Sequence, residues 1–196
     1  SNPEVGLRMN QLNQALAEFE QRGARKTSSS IITIPVVFHV IWHTQTENVS
    51  DAQIQSQLDV LNEDFRLLNS DYLPSSHAFW SSIADSRIEF CLAKQDPAGQ
   101  PTTGITRTFT DSLGFIGEDN EKFSSSGGKD NWEPTKYLNV WVANLNGSGG
   151  TLGYAAFPSD LSTDPDNDGV VIDFRAFGTT GTAGTDGFTG NDGGRT

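Results

Sequence analysis

The longest run of β-branched and aromatic residues without a charged side chain extends from Ile31 to Trp42. Such a run is typical of a strand that is covered on both faces, which places it inside a sheet. Pro35 has no amide hydrogen to donate, so regular pairing is predicted to begin after it, from about Val36. The pattern therefore predicts a central strand from Val36 to Trp42.

A helix is predicted shortly after this strand. The sequence Ser50-Asp51-Ala52-Gln53 has the form of a capping box, in which side chains satisfy free backbone amides at the start of a helix. The apolar residues that follow are spaced by four, three, four and three positions: Ile54, Leu58, Leu61, Phe65 and Leu68. Because this spacing forms one apolar stripe, the helix from Asp51 to Leu68 is predicted to pack on the central strand.

Further segments alternate between apolar and polar residues and are predicted to be strands. They are Ile88–Ala93, Tyr137–Ala143, Leu152–Phe157 and Gly169–Phe174, with a short additional strand over Gly104–Phe109. The first four, with the central strand, predict an α+β fold: a twisted mixed five-stranded sheet with a backing helix. Leu152–Phe157 has glycine inside it and Pro158 after it, so it is predicted to be the edge strand.

The two ends of the chain have simpler patterns. Residues 5–22 carry apolar side chains at helical spacing and are predicted to form an amphipathic helix. The basic, polar segment that follows to Ser30 is typical of an exposed linker or of a processing site. The apolar positions are Leu12, Leu16 and Phe19. Glycine recurs at every third residue from Gly178 to Gly193 without intervening proline, which favours a flexible loop over a collagen helix.

The amino-acid composition limits the classes of protein to which the chain can belong. The 196 residues are 35% hydrophobic, enough to bury a core as about one domain. A net charge of −12 disfavours nucleic acid and anionic membranes as partners and favours cations. No apolar run is long enough to span a bilayer, and no signal peptide is visible, so either the protein is cytosolic or a leader has been removed. The acidic, glycine- and threonine-rich composition favours an exported protein. The single Cys91 predicts no internal disulfide, and a buried inert thiol is favoured there.

Two histidines have the spacing of a zinc-binding helix. His39 and His43 are separated by four residues, but they belong to the predicted strand. At about 3.3 Å per residue they would stand roughly 13 Å apart, too far to share an ion. They are therefore predicted to be structural or surface histidines.

The sequence from Asp164 to Gly169 has aspartates at alternate positions before a glycine, like the first half of a calcium loop. The twelfth position is Arg175 instead of glutamate, which excludes an EF-hand. Two interpretations remain: a looser calcium site formed by Asp164, Asp166 and Asp168, or a solvated acidic turn.

The order of these motifs resembles the amino-terminal half of the pappalysin family of zinc metallopeptidases, in the metzincin clan. The resemblance extends from about Ile31 to Thr196. The segments that carry it are Ile34–Val40, Asp51–Ile54, Leu61–Arg66, Ile88–Ala93, Gly104–Arg107, Trp132–Pro134, Tyr137–Val142, Leu152–Ala155, Phe157–Pro158, Asp168–Ile172 and Gly194–Thr196.

The resemblance implies a secreted, bacterial-type zinc endopeptidase whose metal ligands lie beyond Thr196. In the family, Gly-Arg-Thr leads into the helix with His-Glu-x-x-His, and a Met-turn follows later. Neither motif is in this chain, whose only methionine is Met9, so the chain alone is expected to hold no catalytic residue and to be inactive. Residues 1–30 resemble part of the pro-segment, and residues 31–196 resemble the amino-terminal subdomain.

The resemblance also implies that the edge strand forms one wall of the substrate cleft. Gly153, Tyr154, Ala155 and Ala156 would then bind an extended peptide as an added strand. The alternative for these residues is an ordinary edge that glycine and proline protect from aggregation. The alternative for the whole protein is a calcium-dependent extracellular binding or adhesion module that uses the acidic loop.

Overall fold

A computed structural model describes residues 6–7, 9–11, 13–14, 17–18, 30–116, 119–145, 150–187 and 189–195. The apolar positions of the helix predicted over residues 5–22, and most of the linker after it, lie outside the described residues. The described elements are β1 (Ile32–Trp42), α1 (Asp51–Phe65), β2 (Ile88–Leu92), β3 (Ile105–Phe109), β4 (Leu138–Ala143), β5 (Gly153–Ala155) and β6 (Val170–Asp173). None of the helices described is long and apolar enough to cross a membrane.

The strands form one mixed sheet in the order β2-β1-β4-β6-β5, with β3 also paired to β1. All pairings are parallel except the one between β5 and β6. The predicted α+β fold is confirmed, and so is the edge position of β5. The predicted count of five strands is wrong because β3 joins the sheet. On one side of β1, β2 pairs with Ile32–Val36 and leaves Phe38–Trp42 open for β3.

Pairing with β2 begins before Pro35, at Ile32, contrary to the prediction, whereas pairing with β4 begins at Val36, as predicted. The N–H of Ile32 donates to Arg87 at 2.8 Å, and the C=O of Val36 accepts from Ala93 at 2.9 Å, so even-numbered residues of β1 point their backbone groups towards β2. Pro35 therefore points to the opposite side, where pairing with β4 begins only at Val36. A missing N–H costs nothing on a side that has no partner strand.

Helix α1 begins where the capping box predicts and ends three residues early. The Ser50 side chain accepts a hydrogen bond from the Gln53 amide, as expected for an N-cap. Leu67 has a left-handed φ of +54°, which ends the helix before Leu68. Ile54 and Leu58 are buried, which confirms the predicted stripe at the start of the helix, whereas Leu68 is 70% exposed.

The sheet carries a separate apolar cluster on each face. The cluster beneath α1 is centred on Val36, Phe38, Val40, Ile54, Leu58, Val140, Val142 and Phe177. The cluster on the opposite face consists of Ile41, Phe115, Trp141, Ala143, Leu145 and Val171, with Tyr154 packed against it. Because both faces are covered, β1 and β4 are buried along most of their length, as the charge-free sequence of β1 predicts.

The glycine-rich segment after β6 is irregular, as predicted, but polar side chains of α1 fix it to the helix. The Gln53 side chain donates to the Phe177 carbonyl at 2.9 Å, and the Gln57 side chain donates to the Gly194 carbonyl at 2.7 Å. Gly178 has a φ of +76°, and a Cβ there would lie 2.7 Å from the Gln53 carbonyl oxygen. Glycine therefore allows this close approach between the segment and the helix.

Candidate functional site

The edge strand β5 presents part of its backbone to a free side. The Leu152 carbonyl accepts from the Asp173 amide at 2.8 Å, and the Ala156 amide donates to the Gly169 carbonyl at 3.1 Å. Backbone groups alternate in direction along a strand, so those of the odd-numbered residues between them point away from β6. No strand lies beyond β5 in the described sheet. The N–H and C=O groups of Gly153 and Ala155 therefore face the open edge.

The four residues predicted to bind substrate fall into two groups. Gly153 and Ala155 carry the outward backbone groups, whereas Tyr154 pairs with Val171 of β6 and the Ala156 amide donates to the Gly169 carbonyl just before β6. A Cβ on Gly153 would lie 2.7 Å from the Val171 carbonyl oxygen, so its close approach is to β6. Binding of a peptide by these residues stays a prediction.

Tyr154 turns its side chain towards the protein interior instead of the open edge. Its ring packs against the apolar cluster on the face opposite α1, and its hydroxyl donates to Glu121 Oε1. Burial and the hydrogen bond to Glu121 raise the pKa of Tyr154 far above its usual value, which keeps the phenol neutral. Tyr154 is thus an anchor of β5.

A pocket of about 300 Å³ lies at the end of β5. One wall consists of residues 154–157, and the other comes from the loop that precedes β6. The polar side chains that line it are those of Asp119, Lys122, Asp160, Thr163, Asp164 and Asn167. The pocket beside β5 is therefore polar and mainly acidic.

Two buried charged residues beside this pocket were not predicted. Glu121 and Lys122 belong to a short 3-10 turn, Asn120–Lys122, and are 0% and 2% exposed. Lys122 Nζ donates to the Asn167 carbonyl at 2.7 Å and lies 2.8 Å from Asp119 Oδ1. The turn lies in a segment without periodicity, and no spacing in the sequence distinguishes these two charges from exposed ones.

The acidic loop does not gather its carboxylates into one cluster. Asp164 Oδ2 accepts from the Asn167 side chain at 2.9 Å, and Asp166 faces a different pocket, beside Asp130. Burial is the largest effect on Asp168 and raises its pKa. In the described part of the chain, no three His, Cys, Asp or Glu residues are grouped so that they could hold a metal ion. Calcium binding by Asp164, Asp166 and Asp168 stays a prediction.

His39 is enclosed on both sides of its ring. Asn139 Oδ1 accepts from the Trp132 amide at 2.7 Å, so the contact of 3.0 Å to His39 Nε2 is a hydrogen bond donated by the imidazole. The other nitrogen, Nδ1, lies 2.8 Å from Thr106 Oγ1. Burial lowers the pKa of His39 to about 4, so the ring is neutral at neutral pH. His39 has the structural role that the strand geometry predicts.

His43 and Cys91, for which the sequence predicts no role in chemistry, are placed as follows. His43 Nδ1 donates to the Thr110 carbonyl at 2.9 Å. Cys91 is half-buried, so the thiol is less buried than predicted. Its side of β2 borders a shallow groove that Pro35 and Lys94 also line. The groove remains open because β4 starts only opposite Val36.

Comparisons with solved structures return mirolysin. The chain is 48% identical to mirolysin in complex with compound 9, with a TM-score of 0.77, over 85% of this chain and 60% of that one. It is 49% identical to mature mirolysin of Tannerella forsythia in complex with a cleaved peptide, with a TM-score of 0.75, over 80% and 58%. A promirolysin mutant of the same organism gives 44% identity and a TM-score of 0.79, over 94% and 61%.

The fold is metzincin-like. Mirolysin is a metzincin-type metallopeptidase. The chain is therefore related to a metallopeptidase in both sequence and structure. It spans about three fifths of the length of the mirolysin structures. No protein-family model matches the chain, and no curated protein matches it. The described residues themselves offer no group that fits zinc, because both ring nitrogens of His39 are engaged and no cluster of ligands forms.

Proposed function

We propose that the chain is the amino-terminal, substrate-binding part of a secreted zinc endopeptidase of the pappalysin family. The observation that carries the proposal is the open edge of β5, where the outward backbone groups of Gly153 and Ala155 pair with no other strand among the described residues. An extended peptide can add to such an edge as one more strand and is then bound mainly through its backbone. The mature mirolysin structure with a cleaved peptide supports a peptide as the ligand.

Zinc and the general base are proposed to come from a part of the parent protein beyond Thr196. An apolar groove of about 410 Å³ lies between α1 and the sheet, with Gly194 and Arg195 at its rim. Leu61, Phe65, Phe90 and Val140 are among the apolar residues that line it. We propose that the catalytic part packs on this groove, since apolar surface of this kind gains stability when it is covered.

Residues 1–30 are proposed to belong to the pro-segment. The comparison with promirolysin covers 94% of the chain, whereas those with the mature and inhibitor-bound forms cover 80% and 85%. The additional coverage is what an alignment gains when both proteins carry pro-sequence. Secretion is supported by the acidic composition and the net charge of −12.

Extension of the protein through its catalytic part tests the proposal. The extended protein is expected to hydrolyse peptides, to lose this activity with a zinc chelator and to regain it with added zinc. The 196-residue chain alone is expected to bind no catalytic zinc and to cleave nothing. An extended protein that folds but does not cleave peptides, or tight stoichiometric zinc on the isolated chain, would overturn the proposal.

A separate measurement tests the alternative of a calcium-dependent binding module. If calcium binds at Asp164, Asp166 and Asp168, the melting temperature of the chain must rise with calcium concentration, because the ligand binds only the folded state. Coincident melting curves in calcium and in chelator would remove this alternative.

A further inference from the structure

The buried pair Glu121 and Lys122 has no part in the apolar core, yet both side chains are almost completely inaccessible. Burying a charge costs several kcal/mol unless good partners compensate it. Glu121 Oε2 has no hydrogen-bond partner among the described residues, so the compensation of this carboxylate is incomplete. A neutral apolar residue at position 121 would avoid this cost. The burial of Glu121 is therefore poorly explained by its contribution to stability.

The contacts of the pair lead to the two walls of the pocket at the end of β5. Glu121 accepts the hydroxyl of Tyr154, which lies on the edge strand. Lys122 Nζ lies 5.3 Å from the centroid of the Tyr154 ring and donates to the Asn167 carbonyl in the opposite wall. One turn of three residues thus holds both the strand and the loop that faces it.

The edge strand needs this support because it is short. β5 pairs with β6 over three residues only, and a three-residue ladder resists twisting weakly. Tyr154 lies between Gly153 and Ala155, whose backbone groups face the open edge. When Glu121 fixes the Tyr154 hydroxyl and Lys122 lies against its ring, the rotation of the strand is fixed, and with it the direction of the Ala155 N–H.

We propose that Glu121 and Lys122 are positioning residues for peptide binding at the open edge of β5. They hold Tyr154 and the Asn167 loop so that the outward backbone groups of β5 meet an added strand in register. The inference rests on the proposed function, because it assumes that a peptide binds at this edge. It assigns a role to two residues that lie outside the edge strand itself.

The test uses the extended protein and measures kcat and KM separately. Tyr154→Phe and Glu121→Leu remove the hydrogen bond between β5 and the turn, and KM is expected to rise about tenfold with a smaller change in kcat. The reason is that the edge binds the peptide equally in the ground state and the transition state. Glu121→Gln keeps an acceptor for the tyrosine hydroxyl and is expected to restore KM to within about twofold of wild type.

A destabilised variant elsewhere separates positioning from simple loss of folded protein. Asn62 on α1 exchanges two hydrogen bonds with the Phe90 backbone, on the other face of the sheet. Asn62→Leu is expected to lower the melting temperature, and thereby the amount of active enzyme, without a change in KM. If the wild-type extended protein is active and KM is unchanged in both Tyr154→Phe and Glu121→Leu, the inference is overturned. The proposed function would remain intact in that case. An inactive wild-type extended protein would overturn the proposed function and, with it, this inference.

Discussion

Lys122 Nζ lies 2.7 Å from the carbonyl oxygen of Asn167, so the side chain of a buried lysine meets the acidic loop before β6. Aspartates in that loop predict a site for an external cation, and a protein ammonium already contacts its backbone. The same ammonium lies 2.8 Å from Asp119 and 5.7 Å from the centroid of the Trp141 ring. Lys122 therefore joins the loop to the sheet.

Loss of this ammonium is expected to destabilise the chain. Lys122→Met keeps most of the length of the side chain but leaves the Asn167 carbonyl without this donor and Asp119 without its ion pair. The expected loss is about 2 kcal/mol, within the range for losing a hydrogen bond donated by a charged group. Urea unfolding of the 196-residue chain measures it. Lys94→Met, at an exposed lysine, is the control. A loss under about 0.5 kcal/mol at Lys122 would contradict this role.

A second ion pair, between Asp173 and Arg175, is buried at the end of β6. Asp173 is fully buried and accepts from both Arg175 Nε and Nη2 at 2.8 Å, and from the Leu145 amide at 2.9 Å. Asp173→Leu is expected to destabilise the chain by about 3–5 kcal/mol, because it leaves a buried guanidinium without its carboxylate. Unfolding in urea measures the loss.

The double variant Asp173→Leu with Arg175→Met tests the reason for that loss. It is expected to be more stable than Asp173→Leu alone, since the buried guanidinium is removed together with the carboxylate that it binds. Asp59→Asn, at an exposed carboxylate of α1, serves as the reference substitution. Additive losses from the two single changes would show that the side chains are not coupled.

Burial of neutral His39 predicts a dependence of stability on pH. Its pKa in the folded chain is about 4, below the ordinary value of 6.5, so between these values the unfolded chain binds the additional proton. This contribution to stability is fully present above pH 6.5 and is lost as the pH falls towards 4. It amounts to about 3 kcal/mol, from roughly 1.4 kcal/mol per unit of pKa.

Comparison with His39→Gln isolates this contribution from that of the carboxylates. The free energy of unfolding of wild type is expected to fall more steeply than that of His39→Gln between pH 6.5 and 4. The exposed His77 provides the control, and His77→Gln is expected to follow wild type. Parallel curves for wild type and His39→Gln would contradict the assignment of a buried neutral imidazole.

Elements with a local pattern were predictable from the sequence. The charge-free run gives β1, the capping box gives the start of α1 at Asp51, and glycine with Pro158 identifies β5 as an edge. The end of α1 was misplaced because the left-handed Leu67 is not a glycine and so carries no stop signal. The sixth strand was predicted over Gly104–Phe109 but was not assigned to the sheet, because its place depends on the short pairing between β2 and β1, which is a tertiary property.

Of the candidate site, only the strand that supplies its backbone groups was predictable from the sequence. The alternation along residues 152–157 indicates which segment lies at the edge, but not which amides face outward, since that depends on the register with β6. Glu121 and Lys122 lie in a segment without a period, and their burial results from contacts with residues 33 and 45 positions later. Contacts at such separation leave no mark in a local pattern.

The most direct test of the account is the effect of Ala155→Pro on peptide hydrolysis by the extended protein. The substitution removes the Ala155 N–H, which faces the open edge and bonds no neighbouring strand, so folding should change little while kcat/KM falls at least tenfold. Ala155→Ser, which keeps the amide, should retain wild-type kcat/KM, and melting temperatures verify that all three proteins are folded. A folded Ala155→Pro enzyme with unchanged kcat/KM would contradict the claim that the open edge of β5 binds the substrate.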